Sequence, residues 1–156
     1  MGYMHLTKHD RVRDFHEAFG HPINAKWAPE IIELRVKLIA EECSEALQEL
    51  YSSADYINLF GGDWNKSNNM IPVDQKAALT KELCDILVVV YGTAVALGLP
   101  IDAAFNRVHE SNMSKLGKDG KPVLREDGKI LKGPDYKEPD LTSLFVVGKD
   151  RASGGT

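Results

Sequence analysis

The sequence predicts an all-α fold. Two observations carry that prediction. Apolar residues recur three and four positions apart through most of the first 115 residues, and Gly20, Pro29, Gly98 and Pro100 stand where such stretches begin or end. Lys8–Phe19 puts Val12, Phe15 and Phe19 on one helical face, and Gly20 follows as a cap. His21–Pro29 is a loop with two prolines, and Pro29 suits the first position of a second helix. That helix is expected from Glu30 to about Ser52. Ile32, Val36, Ile39, Cys43, Ala46, Leu47 and Leu50 form its apolar stripe, while Glu42, Glu45 and Glu49 lie on another arc with Glu41 at its edge.

Ser53–Val73 breaks the period. Gly61-Gly62-Asp63 and Lys66-Ser67-Asn68-Asn69 are loop-forming, although Tyr56–Phe60 keeps apolar content that suits local packing. A third helix is expected over Asp74–Leu97, and a fourth from about Pro100 to Lys115 with Ile101, Ala104, Phe105 and Val108 on one face. Beyond it Pro122, Pro134 and Pro139 exclude helix. Asp119-Gly120-Lys121 and Asp127-Gly128-Lys129 mark two turns, with room for one small hairpin over Val123–Leu131. The reading is one domain over residues 1–141 with an irregular C-terminal arm from about 116, then a tail over 142–156 whose end, Arg151–Thr156, is disordered.

The chain has 156 residues, is 43% hydrophobic and 27% charged, and carries a net charge of −4. This is the profile of a globular chain and excludes fibrous and disordered classes. A mildly acidic balance argues against a non-specific nucleic-acid or membrane-surface binder. Cys43 and Cys84 are too few for a disulfide framework, and both are expected to be small buried hydrophobes. The longest apolar stretch, Ile86–Leu99, falls short of a bilayer span, and no secretory leader is visible. The expectation is a core helix and a cytoplasmic protein.

The chemistry concentrates in two short acidic motifs. Glu42 with Glu45, and Glu82 with Asp85, each stand three residues apart and so share a helix face. Packed antiparallel, the two helices would gather four carboxylates. At a separation of ~5 Å and an effective dielectric of ~20, each like-charged pair costs on the order of 3 kcal/mol. A cation offsets that, and all-oxygen ligands select hard divalent ions, Mg²⁺ first and Mn²⁺ next. The competing reading is an ordinary surface salt-bridge pattern, since Lys37 and Lys81 stand four residues before Glu41 and Asp85. Against it, Glu82 and Asp85 open the apolar run Ile86–Val90, expected to be buried on most sides. No histidine stands three residues after a glutamate, so the di-iron arrangement is missing, and a Mg²⁺ carboxylate cluster suits phosphoryl chemistry instead.

Read as EExxE followed by ExxD on successive helices, these motifs resemble the signature of MazG-like all-α nucleoside triphosphate pyrophosphohydrolases. Phe15-His16-Glu17-Ala18-Phe19-Gly20-His21-Pro22, His109–Lys115, Asp119-Gly120-Lys121-Pro122 and Lys132-Gly133-Pro134 resemble a phage and bacterial branch of that superfamily, including its dGTP-hydrolysing type. The resemblance spans roughly Val12 to Leu141. One departure is the 36 residues between Glu45 and Glu82, longer than the usual spacer, with Ser53–Val73 as the apparent insertion. The resemblance implies a four-helix MazG-like bundle, oligomeric and expected as a homotetramer of tight dimers, in which one copy's N-terminal segment completes a neighbour's pocket. It implies cleavage between the α- and β-phosphates to a nucleoside monophosphate and pyrophosphate.

Carried over by motif position, Glu42, Glu45, Glu82 and Asp85 become metal ligands. Glu41 binds a further ion or orients the attacking water, which places Glu41, Glu42 and Glu45 in the catalytic group. Asn112 and Lys115 match the family's Asn/Lys pair, with Lys115 on a phosphate oxygen. Lys121 or Lys132 could close over the phosphates. His21 and Asn24 are candidates for base recognition, beside Phe15, Phe19 and Trp27, although for the phenylalanines core packing is the expectation. Aromatic surface favours a purine deoxynucleotide such as dGTP. His5 and His9 share a face at i,i+4 spacing but lack a third ligand, which fits a frayed terminus. Two alternatives remain at this point: a phosphoribosyl-ATP pyrophosphatase of the same fold, and a non-enzymatic helical interaction module.

Overall fold

The computed structural model describes residues 6–59 and 71–146. His5, Phe60, the 61–69 loop signals and the 151–156 tail lie outside them, as do the side chains of Tyr56–Leu59. The described residues form four helices: α1 (Lys8–Phe19), α2 (Pro29–Leu59), α3 (Val73–Leu97) and α4 (Ile101–Met113), followed by a 3₁₀ turn at Thr142–Leu144. No β-strand forms among them. The fold is all-α, as the periodicity predicts. No single helix among the described residues is long and apolar enough to cross a membrane. The chain divides into two compact units, Met1–Leu99 and Pro100–Thr156.

In the first unit the helix ends are set by local chemistry. Thr7 and Asp10 form a reciprocal capping box at the start of α1, and Gly20 closes it in the left-handed conformation at φ 67°. The end of α3 has a different solution. A helix leaves its last four carbonyls without partners. Here Leu99 N–H donates to Ala94 O, Asn24 N–H to Val95 O, Ala25 N–H to Ala96 O and Trp27 Nε1 to Leu97 O. The α1–α2 loop is thus fastened to the end of α3 by backbone groups and one indole.

Helix α3 packs against both α1 and α2. Arg35 stands beside Gly92, while Glu42 and Glu45 stand beside Glu82, so α2 and α3 run antiparallel. The core is Val12, Ala46, Val89, Ala94, Val95 and Ala96. Its small residues allow close approach of the helices.

Four expectations are corrected here. Helix α2 continues past Ser52 to Leu59, because Ser52 and Ser53 turn their hydroxyls back onto the Gln48 and Glu49 carbonyls and sit inside the helix without breaking it. The face of α2 turned inward is centred on Arg35, Glu42, Ala46, Glu49 and Ser53, whereas Val36, Leu47 and Leu50 of the apolar stripe are exposed. The run Ile86–Val90 is likewise one-sided: Val89 is buried, and Leu87 and Val88 are exposed. Cys84 is exposed and Cys43 half-buried, since Cys84 lies two residues and about 200° around the helix from inward Glu82, and Cys43 one residue and about 100° from Glu42.

In the second unit α4 ends at Met113, two residues short of the expected Lys115. The two Asp-Gly-Lys turns share one wiring: Gly120 and Gly128 N–H donate to Gly117 and Arg125 carbonyls, and Asp119 and Asp127 carboxylates accept from Lys121 and Lys129 N–H. Isolated bridges pair Leu116 with Pro122 and Leu124 with Ile130, so the expected hairpin is present in its shortest form. The arm then returns to α4. Ser111 Oγ donates to Lys137 O at 2.8 Å, Lys137 N–H donates to Ser114 Oγ at 2.9 Å, and Arg107 donates to Asp140 O and Ser143 Oγ. A cleft of about 340 Å³ lies along this junction.

Candidate active site

Antiparallel packing of α2 on α3 brings the two acidic motifs together. One carboxylate oxygen from each of Glu42, Glu45 and Glu82 lies within 4.8 Å of the others. Glu82 is 9% exposed, Glu42 is half-buried and Glu45 is exposed. Burial pushes the Glu42 carboxyl above its ordinary value, and the charges of Asp85 and Glu45 add to that shift. The cluster is therefore short of positive charge on its α2 side.

Lys81 supplies part of the compensation. Its Nζ lies 2.8 Å from Asp85 and 2.9 and 3.1 Å from the two Glu82 oxygens, and these contacts hold the ammonium above its ordinary value. This is the Lys81–Asp85 salt bridge of the competing sequence reading, and it is present. It does not explain Glu42 and Glu45, which form no ion pair with a basic side chain among the described residues.

The donor set suits a hard cation. Three carboxylates from two helices offer oxygens only, and ligand oxygens around a Mg²⁺ at 2.0–2.1 Å sit roughly 3–4 Å apart, close to the spread seen here. Asp85, half-buried and turned to Lys81, is outside the tight group but inside the electrostatic reach of Glu42. Glu41 is exposed at the edge of the α2 face.

The remaining candidates fall in two places. In the first unit, the exposed His21 ring lies 5.7 Å from Phe15 and 5.3 Å from His16. Phe15 and Phe19 stack at 4.5 Å but are exposed, so the core role expected for them is corrected: α1 turns Val12 and His16 inward instead. Asn24 adopts a left-handed φ of 48° and uses its N–H on Val95 O. In the second unit, Lys115 Nζ donates to Asn112 Oδ1 at 2.7 Å, which joins the two members of that pair. Lys121 is exposed on the first Asp-Gly-Lys turn, and Lys132 lies 4.2 Å over the Tyr136 ring.

The sequence reading missed Arg35. It stands on α2 facing α1 and α3, is 6% exposed, and its Nε has no hydrogen-bond partner. Its signal in the sequence is faint: an arginine three residues after Ile32 and four before Ile39, at the helical spacing of two apolar residues.

This all-helical arrangement of paired acids has a match among known families. The family described as phosphoribosyl-ATP pyrophosphohydrolase matches residues 12–112. The chain belongs to that family. The matched phosphoribosyl-ATP pyrophosphohydrolase region contains α1 from Val12 on, all of α2 and α3 and nearly all of α4, with both acidic motifs. No curated protein matches the chain. Among solved structures it is similar to one titled "putative NTP pyrophosphohydrolase" from Exiguobacterium sp. 255-15, at 26% identity over 86% of this chain and 89% of that one, with a TM-score of 0.39. As a member of the phosphoribosyl-ATP pyrophosphohydrolase family, the chain is a pyrophosphatase-type hydrolase acting on nucleotides.

Proposed function

We propose that this protein is a Mg²⁺-dependent (d)NTP pyrophosphohydrolase, with Mn²⁺ able to substitute, that releases pyrophosphate and a nucleoside monophosphate. A purine deoxynucleotide such as dGTP is the favoured substrate. The observation that supports this most is the gathering of Glu42, Glu45 and Glu82 from two helices.

In this reading Glu42, Glu45, Glu82 and Asp85 hold the metal, and Glu41 binds a further ion or orients the attacking water. The bound ion would neutralise phosphate charge and sharpen the electrophilicity of the α-phosphorus. A new bond forms between the water oxygen and that phosphorus, and the bond to the bridging oxygen breaks as pyrophosphate leaves. Lys81 balances Glu82 and Asp85, and would yield Asp85 to a bound ion. Lys115, oriented by Asn112, serves a phosphate oxygen, Lys121 is a second candidate for the phosphates, and His21 and Asn24 serve the base.

We also propose that residues 1–141 work as one domain, and that the protein is a cytoplasmic homotetramer acting on small nucleotides, with neither nucleic acid nor membrane as partner. The exposed apolar side chains on α2 (Val36, Leu47, Leu50) and α3 (Leu83, Leu87, Val88) support self-association. A phage-branch origin rests on the N-terminal and C-terminal sequence segments alone.

The family match favours one second reading, phosphoribosyl-ATP as substrate. A single assay separates the two. Pyrophosphate release is measured from each common NTP and dNTP and from phosphoribosyl-ATP, with Mg²⁺ or with EDTA. Metal-dependent release from one or more (d)NTPs is the expected result. Release from phosphoribosyl-ATP alone would replace the proposal with the second reading, and silence across the panel would remove both.

A further inference from the structure

Arg35 lies seven residues before Glu42 on α2, two turns away on the same face and ~10.5 Å along the axis. The residue is 6% exposed, Nε is unpaired, and no carboxylate among the described residues forms an ion pair with it. A buried guanidinium N–H without an acceptor, as at Arg35 Nε, is costly to maintain, and folded chains avoid it where nothing is gained.

Its surroundings narrow the kind of acceptor. A Cβ at Gly92 would lie within 3.2 Å of Arg35 Nη1 and 3.0 Å of His16 Nε2, so both nitrogens converge over bare backbone. His16 Nδ1 lies 2.8 Å from the Pro22 carbonyl and therefore carries the ring proton, which fixes the ring in place. The His16 ring adjoins His21, and His21 adjoins exposed Phe15. A flat donor fork thus stands next to a group of aromatic rings, on the same helix face as the acidic cluster. Stacking surface beside an edge-reading donor is the arrangement that recognises a nucleobase.

We propose that Arg35 is a specificity-determining residue that reads the base of the bound nucleotide and selects guanine through O6 and N7. A guanidinium offers donors only. Guanine presents two adjacent acceptors on that edge; adenine sets an amino donor beside N7, cytosine presents an amino donor, and thymine offers one carbonyl. A base that leaves Arg35 unpaired gains nothing from the site, and this difference discriminates more strongly than shape. The inference rests on the pyrophosphohydrolase reading of the Glu42, Glu45 and Glu82 cluster.

The test compares kcat/KM for dGTP, dITP, 7-deaza-dGTP and dATP with Mg²⁺, in wild type and in Arg35→Gln, alongside thermal unfolding of both. For wild type, dITP should match dGTP within about threefold, and 7-deaza-dGTP and dATP should each fall ~10-fold or more below it. Arg35→Gln should keep its melting temperature, lose ~10-fold or more on dGTP, and change little on dATP. Equal use of dGTP and 7-deaza-dGTP by wild type overturns the inference, and this comparison needs no variant to fold. Equal loss on dGTP and dATP in Arg35→Gln also overturns it, assigning Arg35 to a part common to all nucleotides. Hydrolysis without guanine preference removes this inference and leaves the proposed function standing, whereas no hydrolysis of any nucleotide removes both.

Discussion

Gly92 on α3 stands so close to Arg35 on α2 that a Cβ at position 92 would lie 3.2 Å from the Arg35 guanidinium. Gly92→Ala should therefore destabilise the protein. An alanine inside a helix is ordinarily favoured over glycine by ~1 kcal/mol, but overpacking costs about 1–3 kcal/mol. His16, anchored on the Pro22 carbonyl, leaves little room to give. A net loss near 1 kcal/mol in urea unfolding is expected, and a gain would show that Arg35 and His16 move freely.

Acidification should weaken the fold through His16. Burial holds its imidazole below the ordinary value, and the Arg35 and His21 charges act in the same direction. A histidine whose folded pKa is lowered binds fewer protons folded than unfolded. Its stability contribution is complete above the unfolded value of about 6.5 and is lost as pH falls toward the folded one. Stability measured between pH 7.5 and 5 should fall in wild type and fall less in His16→Gln. Parallel curves would exclude His16 as the group responsible.

Metal should bind the folded state and stabilise it. At a free Mg²⁺ or Mn²⁺ concentration of ten times Kd, linkage gives about 1.4 kcal/mol, reversed by EDTA. Glu42→Gln with Glu45→Gln should abolish both this stabilisation and turnover while the metal-free protein stays folded. Wild-type activity in the double variant would end the metal-site reading.

The Lys81 ammonium holds Asp85 and Glu82, so a metal bound by these acids in the proposed way would have to displace it. Lys81→Gln should tighten Mn²⁺ binding several-fold in a calorimetric titration, because the ion no longer displaces an ammonium. Weaker binding would mean that Lys81 positions these acids for the ion.

Gly133→Ala should loosen the arm. A Cβ there would overlap the Lys115 and Leu116 carbonyl oxygens, and Gly133 N–H donates to Lys115 O at 3.0 Å. Backbone cannot yield as a side-chain tip can, so the contact must open. Proteolysis within residues 117–133 should accelerate by roughly tenfold, corresponding to ~1.4 kcal/mol of local opening.

What could be read from the sequence was what neighbours along the chain decide. The bounds of α1 follow from its periodic face and Gly20, and the pairing of Glu42 with Glu45 follows from helical spacing. The end of α2 was not legible at Ser52 and Ser53, since residues that favour turns also fit a helix when their hydroxyls bond back by one turn. Periodicity also could not say which of two neighbouring arcs of α2 faces α3. The apolar stripe was the natural choice, yet Arg35, Glu42 and Glu49 share the inward face. Arg35 went unnoticed for the same reason, because an arginine in a helix reads as a surface residue until the packing is known.

The junction of α4 with the returning arm is asymmetric in what it recognises. Ser111 and Ser114 use side chains, whereas Lys137 answers with its main-chain N–H and carbonyl. Every amino acid but proline carries both groups. Position 137 is therefore open to almost any other replacement without losing the fastening, and 111 and 114 are not; nor is 140, whose carboxylate accepts from Ser143 N–H at 3.2 Å. Variation that retunes the arm's charge can accumulate on one side of this seam at little structural cost.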